Sequence, residues 1–199
     1  LLGGIGVLAR LDGEPNRRIL ENAIAAHGCL THRGAETHRS SEDPGTSDGA
    51  GMMFLYNRHG ALQAFLAQAF DQRIPYGDPC PWGVAQVFNS QDPERAEIAR
   101  RIVERACDDF NLTMLGWRDV PCCEDILVDM ARETLPHLQQ VLIENPDRGR
   151  PTARRSHPDR FAIILYRVRR QIDQEVKRAG INEFHVCSMS PFTVVYKGM

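Results

Sequence analysis

The sequence predicts an α+β, layered α/β fold, and three observations carry that reading. Apolar residues recur at helical spacing in some segments and in short strand-like runs in others. The two segment types interleave, and the chain closes on two consecutive strands. Nothing in the 199 residues repeats or reads as an inter-domain linker, so a single domain spanning 1–199 with a sizeable core is expected.

The elements follow in order. Gly4–Ala9 (GIGVLA) is short, apolar and rich in small residues, which suits a buried strand closely approached by another segment. Asp12–Pro15 reads as a turn and helix start. Ile19, Leu20, Ala23, Ile24 and His27 then recur at helical spacing and predict an amphipathic helix over 16–30. From Thr31 to Gly51 the period stops and Gly, Ser, Thr, Asp and His dominate; a loop of that length inside a compact domain is usually functional.

Strand follows at Met52–Tyr56, a short helix at Ala61–Phe70, and strand again at Trp82–Phe88 after Pro75, Pro79 and Pro81. Asp92-Pro93 suits an N-cap and first helical position. Ala99, Ile102, Val103, Ala106 and Phe110 then mark one buried face. Leu112–Arg118 reads as strand, Ile126–Leu135 as helix, and Gln140–Glu144 as strand. A polar loop covers 145–158. Phe161, Ile164, Leu165, Val168, Ile172 and Val176 share one face of the clearest helix, and strands Glu183–Ser190 and Phe192–Lys197 end the chain around Pro191.

Composition narrows the function classes. Apolar residues make up 42% and charged residues 25%, so a folded chain is expected rather than a disordered one. A net charge of -2 argues against nucleic-acid or membrane-surface partners. The arginines between Arg148 and Arg160 lie in a Pro/Gly-punctuated stretch and read as a solvated loop. There is neither an apolar run near the roughly 18 residues of a membrane span nor a secretory leader, so a cytoplasmic location is expected. The chain opens on Leu1 rather than Met, as a processed or partial polypeptide would.

Six cysteines without a repeating interval suggest reduced thiols. Cys29, His32 and His38 lack a fourth ligand at suitable spacing, and adjacent Cys122 and Cys123 make a poor chelate, so no metal is expected. Cys29 itself reads as a small core residue. Thr46–Gly51 is glycine-rich but lacks the Gly-Lys-Ser/Thr ending of a phosphate loop. His32-Arg33-Gly34 offers a base and an anion clamp, a pairing too common to name a reaction.

A family resemblance takes the reading further. Gly3–Ala9 (GGIGVLA) resembles the Cys-Gly-Val-Gly-Phe type opening strand of the glutaminase domain of glutamate synthase large subunits, a class II glutamine amidotransferase. Leu30–Ala35 (LTHRGA) is similar to that family's Leu-x-His-Arg-Gly-Ala, and Ser47–Gly51 (SDGAG) to its Gly-Asp-Gly-Ala-Gly. Trp82–Ala85 (WGVA), Phe88 through Gln91-Asp92-Pro93, Leu115–Pro121 (LGWRDVP), and Cys187–Ser190 (CSMS) through Val195–Met199 (VYKGM) resemble later signposts in the same order. The match spans the whole chain.

The resemblance implies a partial αββα N-terminal nucleophile hydrolase sandwich that hydrolyses the side-chain amide of glutamine. In the family an N-terminal cysteine attacks the amide and its own α-amino group serves as base; the two titrate near about 8.5 and about 7.7–8.0. The released ammonia would serve glutamate formation from 2-oxoglutarate in a remainder of the enzyme carrying FMN and an iron–sulfur cluster. No cofactor is expected in this chain; the partners implied are glutamine and the remaining segment of a glutamate synthase or a homologous chain.

Position by position, Gly3 falls where the family has its nucleophilic cysteine, and Gly4 in the tight strand beside it. Arg33 matches the arginine that orders the nucleophile region, or else a loop anchor. Gly4, His32, Gly34, Asp48, Gly49 and Gly51 are expected to shape the substrate-pocket loop, with His32 packed or capping. Two departures argue against activity of the chain alone. Gly3 has no sulfur, and the resemblance implies a C-terminally incomplete domain, with the family's carboxylate-clamping arginine, substrate-holding Asp and oxyanion Asn-Gly pair expected beyond Met199; no Asn-Gly pair occurs in the sequence. The stretch Thr37–Thr46 is also longer than the resemblance leads one to expect. A non-catalytic remnant acting as an interaction or regulatory module is the alternative.

Overall fold

The computed structural model describes residues 4–14, 16–30, 36–37, 46–47, 49–55, 68–70, 82–146 and 160–198. Its elements in chain order are helix α1 (Arg17–Gly28), strands β1 (Glu36–Thr37), β2 (Thr46–Ser47), β3 (Ala50–Leu55) and β4 (Trp82–Asn89), and helix α2 (Pro93–Asp109). Strand β5 (Met114–Asp119), a 3-10 turn (Glu124–Ile126), the short helix α3 (Asp129–Glu133), β6 (His137–Glu144), helix α4 (Arg160–Arg178), β7 (His185–Ser190) and β8 (Thr193–Gly198) follow. The chain divides into two compact units, Leu1–Met52 with Cys123–Leu135 and Lys197–Met199, and Met53–Cys122 with Pro136–Tyr196.

The larger unit is built on an antiparallel sheet of order β5-β6-β4-β7. Strand alternation gives it two apolar faces. Ala85, Val87, Val141 and Ile143 point to one side, where they pack with Ile102, Val103 and Ala106 of α2 and with Phe161, Leu165, Val168, Ile172 and Val176 of α4. A register shift between Gln86 and Val87 adds Cys187 as an extra residue on β7. That bulge lets Val186 and Met189, three positions apart, both join the helix-side core. Each fully buried side chain of this size stabilises the fold by about 1.5–3 kcal/mol.

Gly83 sets how closely α4 can approach. A Cβ there would stand 2.6 Å from Leu165 Cδ1 and 3.3 Å from Phe161 Cε1. Helix α2 starts where the sequence predicts, with Pro93 in its first turn and Asp92 Oδ1 accepting from the backbone N–H of Glu94 (2.9 Å) and Arg95 (3.1 Å).

On the opposite side of the sheet, Trp82, Val84 and Leu142 pack with Phe70 and Val194, and Leu115 and Tyr196 border that cluster. Val194 and Tyr196 belong to β8, which pairs with β3 in a second sheet. Phe54 meets Tyr196 edge to face at 5.8 Å. A polar belt crosses the same layer: the Gln140 amide donates to Gln86 Oε1 (2.8 Å) and to the Tyr196 hydroxyl oxygen (2.9 Å), while Arg118 Nε donates to Gln140 Oε1 (2.8 Å). Helices, sheet and second sheet therefore stack in that order. The class is α+β, and this stack is part of an αββα sandwich. Among the described residues, no helix is long and apolar enough to cross a membrane.

Three expectations need correction. Gly4–Ala9 is not a buried strand: it takes no strand pairing among the described residues, with Ile5 98% and Val7 91% exposed. Gly4 and Gly6 supply no side chain to pack, which weakens a strand. The segment 31–51 is not wholly irregular, because β1 and β2 pair antiparallel within it, Glu36 opposite Ser47. The helix expected over Ile126–Leu135 shrinks to Asp129–Glu133. Leu127 and Val128 are extended (ψ 140 and 155), and Pro136 disfavours helical backbone at Leu135. Most of the helix expected at Ala61–Phe70 lies outside the described residues.

Candidate functional site

Of the residues the sequence singles out, Gly3, His32, Arg33, Gly34 and Asp48 lie outside the described residues. Gly4, Gly49 and Gly51 are described, all in the smaller unit, and the end of α1 meets two of them.

Helix α1 begins at Asn16, whose side-chain oxygen accepts from Arg18 N–H at 2.7 Å. At its other end His27 Nε2–H donates to the Gly51 carbonyl at 2.9 Å; a carbonyl can only accept, which fixes the tautomer. Gly49 has φ +88, a left-handed conformation that glycine adopts at no steric cost. Three residues past His27, Leu30 lies against the opening segment: a Cβ on Gly4 would come within 3.0 Å of Leu30 Cδ1. The end of α1 and the residues just past it thus meet both Gly51, through His27, and Gly4, through Leu30.

His27 is the residue that sequence reasoning missed. Its helical spacing groups it with the apolar face, whereas it anchors the backbone at the start of β3. Cys29 corrects another expectation. It sits at the C-cap of α1 and is exposed, not in the core, because no face of α1 is buried. The opening segment turns at Arg10–Glu14, where Gly13 has φ +71. Arg10 hydrogen-bonds the Asp12 carboxylate, and with the Glu14 N–H also donating, Asp12 is held below the usual carboxylate range.

The five described cysteines are all free thiols. Cys107 alone is strongly perturbed: burial, then the nearby Asp108 and Glu104 charges, push its thiol up to about 12, so it stays protonated and unreactive near neutral pH. Among the described residues, no three His, Cys, Asp or Glu side chains converge on a possible metal position.

Comparison with known proteins decides the family. The sequence profile of the class-II glutamine amidotransferases matches residues 3–199. This chain belongs to that family. It is 37% identical over 197 residues to ferredoxin-dependent glutamate synthase 2 of Synechocystis, a match covering 98% of this chain and 11% of the relative. The large chain of the NADPH glutamate synthase of Azospirillum brasilense is 33% identical over 201 residues, covering 98% and 12%. The rice chloroplastic ferredoxin-dependent glutamate synthase is 32% identical over 197 residues, with 98% and 11% covered. The chain spans about a ninth of the length of these relatives.

Proposed function

We propose that this chain is part of the glutaminase domain of a glutamate synthase-type enzyme, the portion that would bind glutamine and release its amide nitrogen as ammonia. The match to the amidotransferase family over residues 3–199 supports this reading, together with relatives that include ferredoxin-dependent and NADPH glutamate synthases. Glutamine and the rest of a glutamate synthase polypeptide are the partners, FMN and an iron–sulfur cluster belong to that remainder, and the setting is cytoplasmic.

In this reading Gly3 stands at the nucleophile position, Arg33 orders the residues around it, and Gly4, Gly34, Asp48, Gly49 and Gly51 shape the pocket wall, with His32 packed nearby. The chemistry needs a thiolate to attack the amide carbon, and a glycine offers only hydrogen. The chain alone is therefore inactive, and Cys29, exposed on the last turn of α1, is no substitute. The missing sulfur at position 3 also supports a second reading, a non-catalytic remnant that serves as an interaction or regulatory module.

Ammonia release from glutamine separates the two. The chain as it stands is expected to release none above background. A Gly3→Cys chain whose first residue is that cysteine, joined to a segment carrying an Asn-Gly oxyanion pair, is expected to gain glutaminase activity. Turnover by the unaltered chain refutes its inactivity. Silence from a folded, repaired chain favours the remnant.

A further inference from the structure

The outer side of α4 carries a feature that glutamine hydrolysis does not use. Helix α4 has six basic residues (Arg160, Arg167, Arg169, Arg170, Lys177, Arg178) against two acidic ones, in a chain whose net charge is -2. Three of those arginines, Arg167, Arg170 and Arg178, line one depression of about 580 Å³ together with Phe110, Gln171 and Glu175. The depression is shallow and open to solvent, so a ligand there would be held by charge rather than by enclosure.

The surroundings leave these guanidinium groups available. Arg167 stacks over the Phe110 ring, its Cζ 5.4 Å from the centroid, which fixes the guanidinium while leaving its edge N–H groups free to donate. Glu175 in the lining and Asp109 each accept from the Gln171 amide, at 2.9 Å and 2.6 Å, rather than from an arginine. Arg170 has only a loose contact with Asp173, at 3.8 Å. Neither Arg167 nor Arg178 has a carboxylate partner among the described residues. About three helical turns separate those two, so a single small monoanion cannot meet both.

We propose that this depression binds a small polyanion bearing several phosphate or carboxylate groups. Bidentate arginine contacts suit either oxyanion, and Phe110 supplies an apolar floor beside Arg167. The site lies in the larger unit and involves none of the residues assigned to the glutaminase pocket, so it stands or falls apart from that reading.

Titration calorimetry on the whole chain, with tripolyphosphate in one arm and citrate in the other, tests the proposal. Saturable binding of at least one is expected, and the tighter arm tells phosphoryl from carboxylate ligands. Arg167→Ala and Arg178→Ala are each expected to weaken it about tenfold. Arg167→Lys keeps the charge but not the planar fork and is also expected to lose affinity. Arg101→Ala removes an exposed α2 arginine that already pairs with Glu97 at 3.0 Å, and should leave binding unchanged. No saturable binding of either anion, full retention in Arg167→Lys, or an equal loss in Arg101→Ala overturns the site in favour of diffuse charge. Far-UV circular dichroism confirms that each variant is folded.

Discussion

Helices α1 and α4 carry the same kind of apolar pattern and meet different fates. Helix α4 buries Phe161, Leu165, Val168, Ile172 and Val176 in the core of its unit, whereas α1 buries nothing and leaves Ile24 55% exposed. Periodicity marks the side of a helix that can be covered; the stabilisation comes only from what covers it. In α1 the stripe ends in His27, and that residue spends its polarity on the Gly51 carbonyl rather than joining a core.

The sharpest way to break this contrast is a pair of truncations. Leu165→Ala removes a fully buried side chain and is expected to cost about 2–5 kcal/mol in denaturant unfolding. Leu20→Ala, on the half-covered face of α1, is expected to stay within about 0.5 kcal/mol. Equal losses would mean that α1 is as well packed as α4.

An alkaline titration comes next. Because the folded state holds the Cys107 thiol up to about 12 against an ordinary 9.0, the group contributes nothing to pH dependence below 9, where both states are protonated. Above it the unfolded chain loses the proton first, so stability falls as pH rises from 9 towards 12, by up to about 1.4 kcal/mol per pH unit. Cys107→Ala should flatten that slope. Thiol-labelling near pH 8 should modify Cys29, Cys122 and Cys123 in the native protein and reach Cys107 only on unfolding. Native labelling of Cys107 would show that the α2 layer opens readily.

The smallest contrast is between caps. Asp92→Ala strips two backbone N–H groups of their acceptor and should cost about 1 kcal/mol. Asn16→Ala should cost no more than a few tenths of a kcal/mol in global unfolding, since α1 can fray without exposing a core. A larger effect at Asn16 would reverse the comparison.

What could be read from the sequence follows the same division. The face of α2 was legible because Ala99, Ile102, Val103 and Ala106 meet one continuous apolar layer, and α4 was legible for the same reason. Strands β4, β6 and β7 matched their expected positions to within a few residues, since β4 and β6 are buried along most of their length and β7 at Val186, Ser188 and Met189. Where reading failed, burial was missing. Gly4–Ala9 looked like core because its composition is apolar, yet composition says nothing about a neighbour. The helix near Ile126 was misjudged because a periodic match outweighed Pro136 and the extended Leu127-Val128 pair. The family was legible from its motifs rather than from physics. Gly49 alone has a backbone reason that could be inferred from its residue type, and His27 left no signal apart from an imidazole at an apolar position.

Gln86 and Gln140 face each other across β4 and β6, joined amide to amide. Slide β4 by one residue and the Gln86 amide turns into the aliphatic layer under α4, while Gln140 loses that partner to an aliphatic neighbour. Few misaligned pairings could survive such a double fault. These two glutamines therefore act as alignment marks, rejecting wrong strand registers as the layers close.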